Sequence, residues 1–231
     1  SLPGLNPVLD VGEKRYEVLL TPKGAFSDPS LLASPLLTPL LFSLLDEGMC
    51  LSGVTAVVSF PGADLHHIHT DSSPLFFQPG VSANLPPHAI NVAVPLVDVD
   101  NRTGPTGICL GSHRWPSERQ ANVNDLTTTE FIRGDCILID YRTHHAGMPN
   151  TSQTVRPILY MVYAPLDFRR FESHRAAIAQ HATSRVCRAP RYDETPPHTR
   201  LLAAHARAVP CQGSNLTGNG HQRAGDGARV V

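Results

Sequence analysis

The chain has 231 residues, a net charge of −1, 41% apolar and 17% charged residues. That is enough for one domain with a sizeable core, and cramped for two. The charge balance gives no electrostatic case for nucleic acid or an anionic membrane surface. Five cysteines (Cys50, Cys109, Cys136, Cys187, Cys211), an odd number without CxxC spacing, suggest neither a disulfide framework nor a zinc knuckle, and a reduced, cytoplasmic setting fits best. No signal peptide is visible and no apolar run reaches transmembrane length. The start at Ser1 reads as a processed or trimmed N-terminus.

In chain order, Tyr16 to Leu20 reads as a short strand. Asp28-Pro29-Ser30 reads as a helix start, with Asp28 as N-cap and proline at the first helical position. The pairs Leu31-Leu32, Leu36-Leu37, Leu40-Leu41 and Leu44-Leu45 follow at helical spacing and Gly48 stops the helix, while Pro35 and Pro39 predict a kink or two short helices. From residue 51 strands take over: Val54 to Phe60, Ile90 to Leu96, Gly107 to Leu110, Cys136 to Tyr141 and Pro157 to Tyr163, with turn signals between them. Residues 116–130 read as a polar loop. Many short strands imply a mainly β sandwich or barrel, with the leucine-rich helices packed outside it. The expected organisation is an N-terminal helical flank (1–50), a β core (51–166), a C-terminal helical extension (167–210) and a flexible tail (211–231), as one domain overall.

The chemistry centres on His66-His67-Ile68-His69-Thr70-Asp71. On an extended segment His69 and Asp71 point to the same face. One imidazole and one carboxylate make two thirds of the facial triad that holds non-heme Fe(II). A second histidine is expected from a late strand, and Tyr141-Arg142-Thr143-His144-His145-Ala146-Gly147 offers two, on opposite faces of the pleat. Arg156 follows His145 by eleven residues at the head of a core strand. An inward arginine there needs a counter-charge, which the distal carboxylate of 2-oxoglutarate would supply; the bland alternative is a surface or ion-paired arginine. His66, His67, His88, His113 and His144 read as structural or exposed. Phe76, Phe77 and Trp115 read as core residues, with Phe77 and Trp115 kept as substrate-wall candidates. Cys109 and Cys136 read as buried and inert.

Taken together, His69-Thr70-Asp71, Gly104-Pro105, Gly111-Ser112-His113-Arg114, Gly134-Asp135, His145 to Asn150 and Arg156 resemble the ordered motifs of the phytanoyl-CoA dioxygenase family. The resemblance runs from about residue 54 to 165. It implies a double-stranded β-helix (a jelly-roll, cupin-like barrel) with flanking helices, and an Fe(II)- and 2-oxoglutarate-dependent oxygenase. It also implies His69, Asp71 and His145 as iron ligands and Arg156 as the residue binding the C5 carboxylate. Asn91 and Ser72 follow as further cosubstrate contacts. His66 stands where relatives often carry glutamine, which makes it an alternative polar contact. Gly111 to Arg114 would form a structural turn. The segment before residue 50 is short for the family.

The function that follows is hydroxylation, or another oxidation, of a small-molecule substrate with O2, releasing succinate and CO2. Asp71, absent from halogenating relatives, argues for hydroxylase-type outcomes. No basic cluster suits a CoA phosphate, so the substrate reads as a non-CoA compound of secondary metabolism. A homodimer is allowed for. The competing readings are a cupin-like metal enzyme without 2-oxoglutarate and a non-catalytic barrel subunit.

Overall fold

The computed structural model describes residues 7–72, 75–76, 80–116 and 118–165, and the backbone of 228–230. The expected C-terminal extension, Phe77 and most of the tail lie outside the described residues. Of the expected tail, Ala228–Val230 pair in parallel with a core strand as β10.

Among the described residues, ten strands form two sheets. The major sheet has seven strands in the order β1-β2-β3-β9-β4-β7-β10, and the minor sheet three, in the order β6-β5-β8. The major sheet comprises β1 (Val8–Gly12), β2 (Arg15–Leu19), β3 (Met49–Ser59), β4 (Ile90–Pro95), β7 (Cys136–Asp140), β9 (Arg156–Pro165) and β10; the minor sheet comprises β5 (Thr106–Cys109), β6 (Leu126–Thr128) and β8 (His145–Gly147). Apart from β10 all pairings are antiparallel. This is a double-stranded β-helix. Its sheets face each other and are not hydrogen-bonded into one closed barrel, and the mainly β, jelly-roll architecture is as expected. β6 corrects the reading of 116–130 as loop: three residues are too few for a period-two pattern to show.

The pleat of the major sheet divides its side chains into two layers. On the outer face Val54, Ile90, Val92, Cys136, Leu138, Leu159, Met161 and Tyr163 form one apolar cluster with Leu41 and Leu45. Those two leucines come from α2 (Thr38–Leu45), which lies across the sheet; α1 (Pro29–Leu32) precedes it. The proline-split pair of helices is as expected, and Asp28 caps α1 by accepting from the Ser30 N–H at 2.8 Å. The stop is not at Gly48 but at Asp46, which takes φ 73° and donates its N–H to Phe42, a conformation that aspartate tolerates better than most residues. Each fully buried large side chain here contributes about 1.5–3 kcal/mol. On the inner face Ala93, Ile137, Ile139 and Ile158 meet Ile108, Val99 and Phe131. Ile108 belongs to β5, so this second layer seals the space between the sheets. α3 (Val81–Asn84) is held to β7 through Arg142, which donates to both Asp140 carboxylate oxygens and to the Ser82 and Leu85 carbonyls. No helix among the described residues is long and apolar enough to cross a membrane.

Candidate metal centre and anion pocket

The first half of the site grows from the edge of the minor sheet. β8 pairs with β5 through His145 and Ile108. On its other side His145 pairs with His69, each N–H donating to the other's carbonyl at 3.0 and 2.9 Å. The Asp71 N–H donates to Tyr141 at 3.0 Å, so the segment carrying the His-x-Asp pair is stitched to the chain leading into β8. The distant histidine is therefore His145. His144 points away and stacks on Trp115 with ring centroids 5.8 Å apart.

The ring geometry fixes which nitrogens are free. His69 Nδ1 sits 2.9 Å from the His67 carbonyl, and His145 Nδ1 sits 2.9 Å from the Thr143 carbonyl. Each Nδ1–H must donate there, which leaves both lone pairs on Nε2. Those two Nε2 atoms lie 3.9 and 3.8 Å from Asp71 Oδ1. Burial, then the neighbouring His145 imidazole, push His69 well below its ordinary value, to about 4, so it stays neutral and able to ligate. Asp71 Oδ2 accepts from Asn91 Nδ2 at 3.1 Å, which directs Oδ1 at the two imidazoles. Two imidazole nitrogens and one carboxylate oxygen on one point fit a divalent first-row metal of the Fe(II) type, and the outer hydrogen bonds to Nδ1 and Oδ2 hold the ligands in place.

The second half is a polar row on the inner face of the major sheet. Arg15 on β2 pairs with Ser59 on β3, and Ser59 pairs with Arg156 on β9, so three side chains stand abreast on one face. All three are buried, at 2%, 0% and 1% exposure. Arg15 Nη1, Ser59 Oγ, and Arg156 Nε and Nη2 are each buried without a hydrogen-bond partner among the described residues. Arg15 is held by donating Nη2 to the carbonyls of Asp64, Gly147 and Met148. Neither guanidinium forms an ion pair with a described carboxylate. Burial and then Arg156 push Arg15 down to about 10, and burial lowers Arg156. Two buried cations beside each other with idle N–H groups are costly alone and call for an anion. Tyr160, two inward positions further along β9, faces Thr106 with its hydroxyl at 3.4 Å and feels the charges of Arg156, Asp71 and Arg15. It therefore shares the buried inner face with the arginines, within reach of their charges and that of Asp71.

Glycines and one asparagine make room for this arrangement. A Cβ on Gly147 would strike the Arg15 guanidinium, and one on Gly104, at φ +82°, would sit 2.6 Å from the Met148 carbonyl. Asn150 is fully buried and donates Nδ2 to the Ser59 and Thr154 carbonyls, which fixes the turn between His145 and Arg156. Ser112 is buried and accepts from the His144 N–H at 2.8 Å, so Gly111 to Arg114 is a turn bracing the minor sheet.

The remaining sequence candidates divide. Asn91 lies at the inward position expected, and its amide nitrogen is committed to Asp71; its Oδ1 is buried without a partner. The Ser72 hydroxyl bonds His88 Nε2 at 2.9 Å. His66 hydrogen-bonds the Val11 carbonyl and packs on His69 at 4.8 Å. Trp115 is covered by the Arg119 guanidinium at 3.4 Å. Arg15, Ser59 and Tyr160 were not legible in the sequence, because their convergence is set by cross-strand register.

The sequence model of the family described as phytanoyl-CoA dioxygenase matches residues 14–158. The chain is 28% identical over 162 residues to Dioxygenase af480 from Aspergillus fumigatus, covering 68% of this chain and 51% of that protein. It is 30% identical over 96 residues to Iron/alpha-ketoglutarate-dependent dioxygenase ausU from Aspergillus calidoustus, covering 40% and 31%. It thus spans about half or less of the length of these curated relatives. Among solved structures, HygX from Streptomyces hygroscopicus, with nickel, 2-oxoglutarate and hygromycin B bound, superposes with a TM-score of 0.55 at 14% identity, covering 69% of this chain and 73% of that one. The epimerase SnoN from nogalamycin biosynthesis gives 0.50 at 21% identity, covering 66% and 62%. These two likenesses bear on the fold, while the family match covers both ends of the site, from Arg15 to Arg156. The chain belongs to the phytanoyl-CoA dioxygenase family.

Proposed function

We propose that this chain is an Fe(II)- and 2-oxoglutarate-dependent oxygenase that hydroxylates or otherwise oxidises a small molecule of secondary metabolism, with release of succinate and CO2. The observation that carries this reading is the buried row Arg15-Ser59-Arg156, whose idle donors share an inner face with Tyr160 beside the triad. A cupin-like metal enzyme without a dicarboxylate cosubstrate has no use for it. Family membership and a relative named as an iron/alpha-ketoglutarate-dependent dioxygenase support the same reading.

His69, Asp71 and His145 would hold the metal, and Asn91 keeps Asp71 turned towards it. Arg156, with Ser59 and Arg15, would grip the far carboxylate of 2-oxoglutarate through charge-assisted hydrogen bonds. Iron bound with this cosubstrate and O2 supplies an oxidant strong enough to take hydrogen from a C–H bond. Ile108, Ile139 and Ile158 keep water out of the space between the sheets. The scarcity of basic surface clusters supports a substrate other than a CoA thioester.

The test is anaerobic calorimetry of 2-oxoglutarate binding to Fe(II)-loaded protein. Binding that is lost in Arg156→Ala and in His145→Ala supports the reading. Metal binding with no 2-oxoglutarate affinity would return the cupin-like alternative, and no metal binding the non-catalytic subunit.

A further inference from the structure

The His-rich stretch holds more imidazole than the triad uses. The rings of His66, His67 and His69 crowd together, with centroids 4.2, 4.8 and 4.9 Å apart, and their planes are tilted by 43° to 80°, so none lies flat on another. Their ligand nitrogens all fall within 4.8 Å of one another. His66 Nε2 is buried without a hydrogen-bond partner among the described residues, while the ring bonds the Val11 carbonyl. The free lone pair of His66 is therefore on Nε2. Its backbone is pinned by the N–H donated to Gly147 at 2.9 Å. His67 is exposed, so its ring can rotate towards the other two. His69 again offers Nε2, because its Nδ1–H is spent on the His67 carbonyl.

We propose that His66, His67 and His69 form a second, all-imidazole cation site for Cu2+, Ni2+ or Zn2+, which shares His69 with the carboxylate-bearing triad. Three nitrogens suit these borderline ions, whereas the site containing Asp71 suits Fe(II). Metal–nitrogen bonds of about 2.0–2.1 Å in a tetrahedral site bring ligand nitrogens to about 3.3 Å from one another, and rotation of the exposed His67 ring supplies most of that closure. His69 has one free lone pair, so the two sites exclude each other. A cation seated on His66 and His67 takes the triad's first histidine and leaves Asp71 and His145 unable to hold iron. The stretch then acts as a port through which the wrong metal blocks the site. The chemistry needs only metal and imidazoles, so it stands or falls separately from the oxygenase reading.

The experiment adds Cu2+ alone to the full chain carrying Asp71→Asn and His145→Ala, which removes the triad's other two ligands. The result expected is one equivalent of Cu2+ bound, with nitrogen hyperfine structure from three imidazoles in the electron paramagnetic resonance spectrum. Adding His67→Gln or His66→Gln should weaken it by more than the roughly 10–100-fold that loss of an outer-shell partner costs. In the otherwise native chain, His67→Gln should leave Fe(II) loading unchanged and shift the Cu2+ concentration that expels Fe(II) upward by at least about tenfold. A double variant with a native circular dichroism spectrum and no Cu2+ affinity would overturn the proposal, as would affinity indifferent to both histidines. Should the double variant not fold, an unshifted expulsion curve in His67→Gln overturns it equally.

Discussion

The two faces of the major sheet are built on opposite rules. The outer face carries a broad apolar cluster closed by Leu41 and Leu45 of α2. The inner face carries Arg15, Ser59, Arg156 and Asn91, each with at least one buried polar atom lacking a partner. Both come from the same strands: on β9, Leu159, Met161 and Tyr163 point outward, while Arg156, Ile158 and Tyr160 point inward. Stability and chemistry are thus separated by one residue of register. The outer face stabilises the fold, and part of that stabilisation offsets the buried cations on the inner face.

The largest effects should come from the proposed metal ligands. Asp71→Ala should cost at least about 100-fold in Fe(II) affinity, since it removes a ligand and not merely an outer partner, with a thermal midpoint in the absence of metal close to that of the parent. Next, Leu138→Ala or Met161→Ala should cost about 2–5 kcal/mol in denaturant unfolding, with Fe(II) and 2-oxoglutarate affinity of the folded fraction unchanged. Arg156→Met sharpens the contrast. It replaces a buried unpaired charge by an apolar side chain of similar size, so the protein without cosubstrate should be as stable as the parent, or more stable by up to about 1–4 kcal/mol, while 2-oxoglutarate affinity is lost. A destabilised Arg156→Met would mean that the inner face, like the outer, is built for the fold.

Gly147→Ala comes next, because its Cβ meets the Arg15 guanidinium; about 1–3 kcal/mol is expected from overpacking, along with weaker cosubstrate binding. The pH dependence is smaller and has a definite sign. Burial is the first cause that lowers His66, His69 and His88 to about 4 from an ordinary value of 6.5. The unfolded chain therefore binds more protons between those values. Stability contributed by these neutral rings is fully present above about pH 6.5 and is lost as pH falls towards 4. Thermal midpoints across that window should fall, and His88→Gln should flatten part of the fall. Smallest of all, Arg133→Ala removes an ion pair whose side chains are 69% and 64% exposed and should change stability by no more than about 0.5 kcal/mol.

What the sequence showed follows the same division. β3, β4, β7 and β9 are runs of valine, isoleucine and leucine long enough to be read as strands, and proline spacing split the helices correctly. His69, Asp71, His145 and Arg156 stood out because short-range spacing and motif order carry them. Arg15 did not: in the strand Arg15-Tyr16-Glu17-Val18-Leu19 a lone arginine reads as solvent-facing, and only pairing with Ser59 places it beside Arg156. Asn91 was legible as an inward polar residue, but not its hydrogen bond to Asp71, which joins β4 to a segment 20 residues earlier in the chain.

The central claim is that the row Arg15-Ser59-Arg156 exists to hold a carboxylate beside the metal. It is tested most directly by calorimetric titration of 2-oxoglutarate into anaerobic, Fe(II)-loaded protein, comparing the parent with Arg156→Met and Arg15→Met. Saturable 1:1 binding in the parent, lost in the first variant and weakened in the second with Fe(II) affinity intact in both, is the predicted result. Equal 2-oxoglutarate affinity in all three proteins would contradict it.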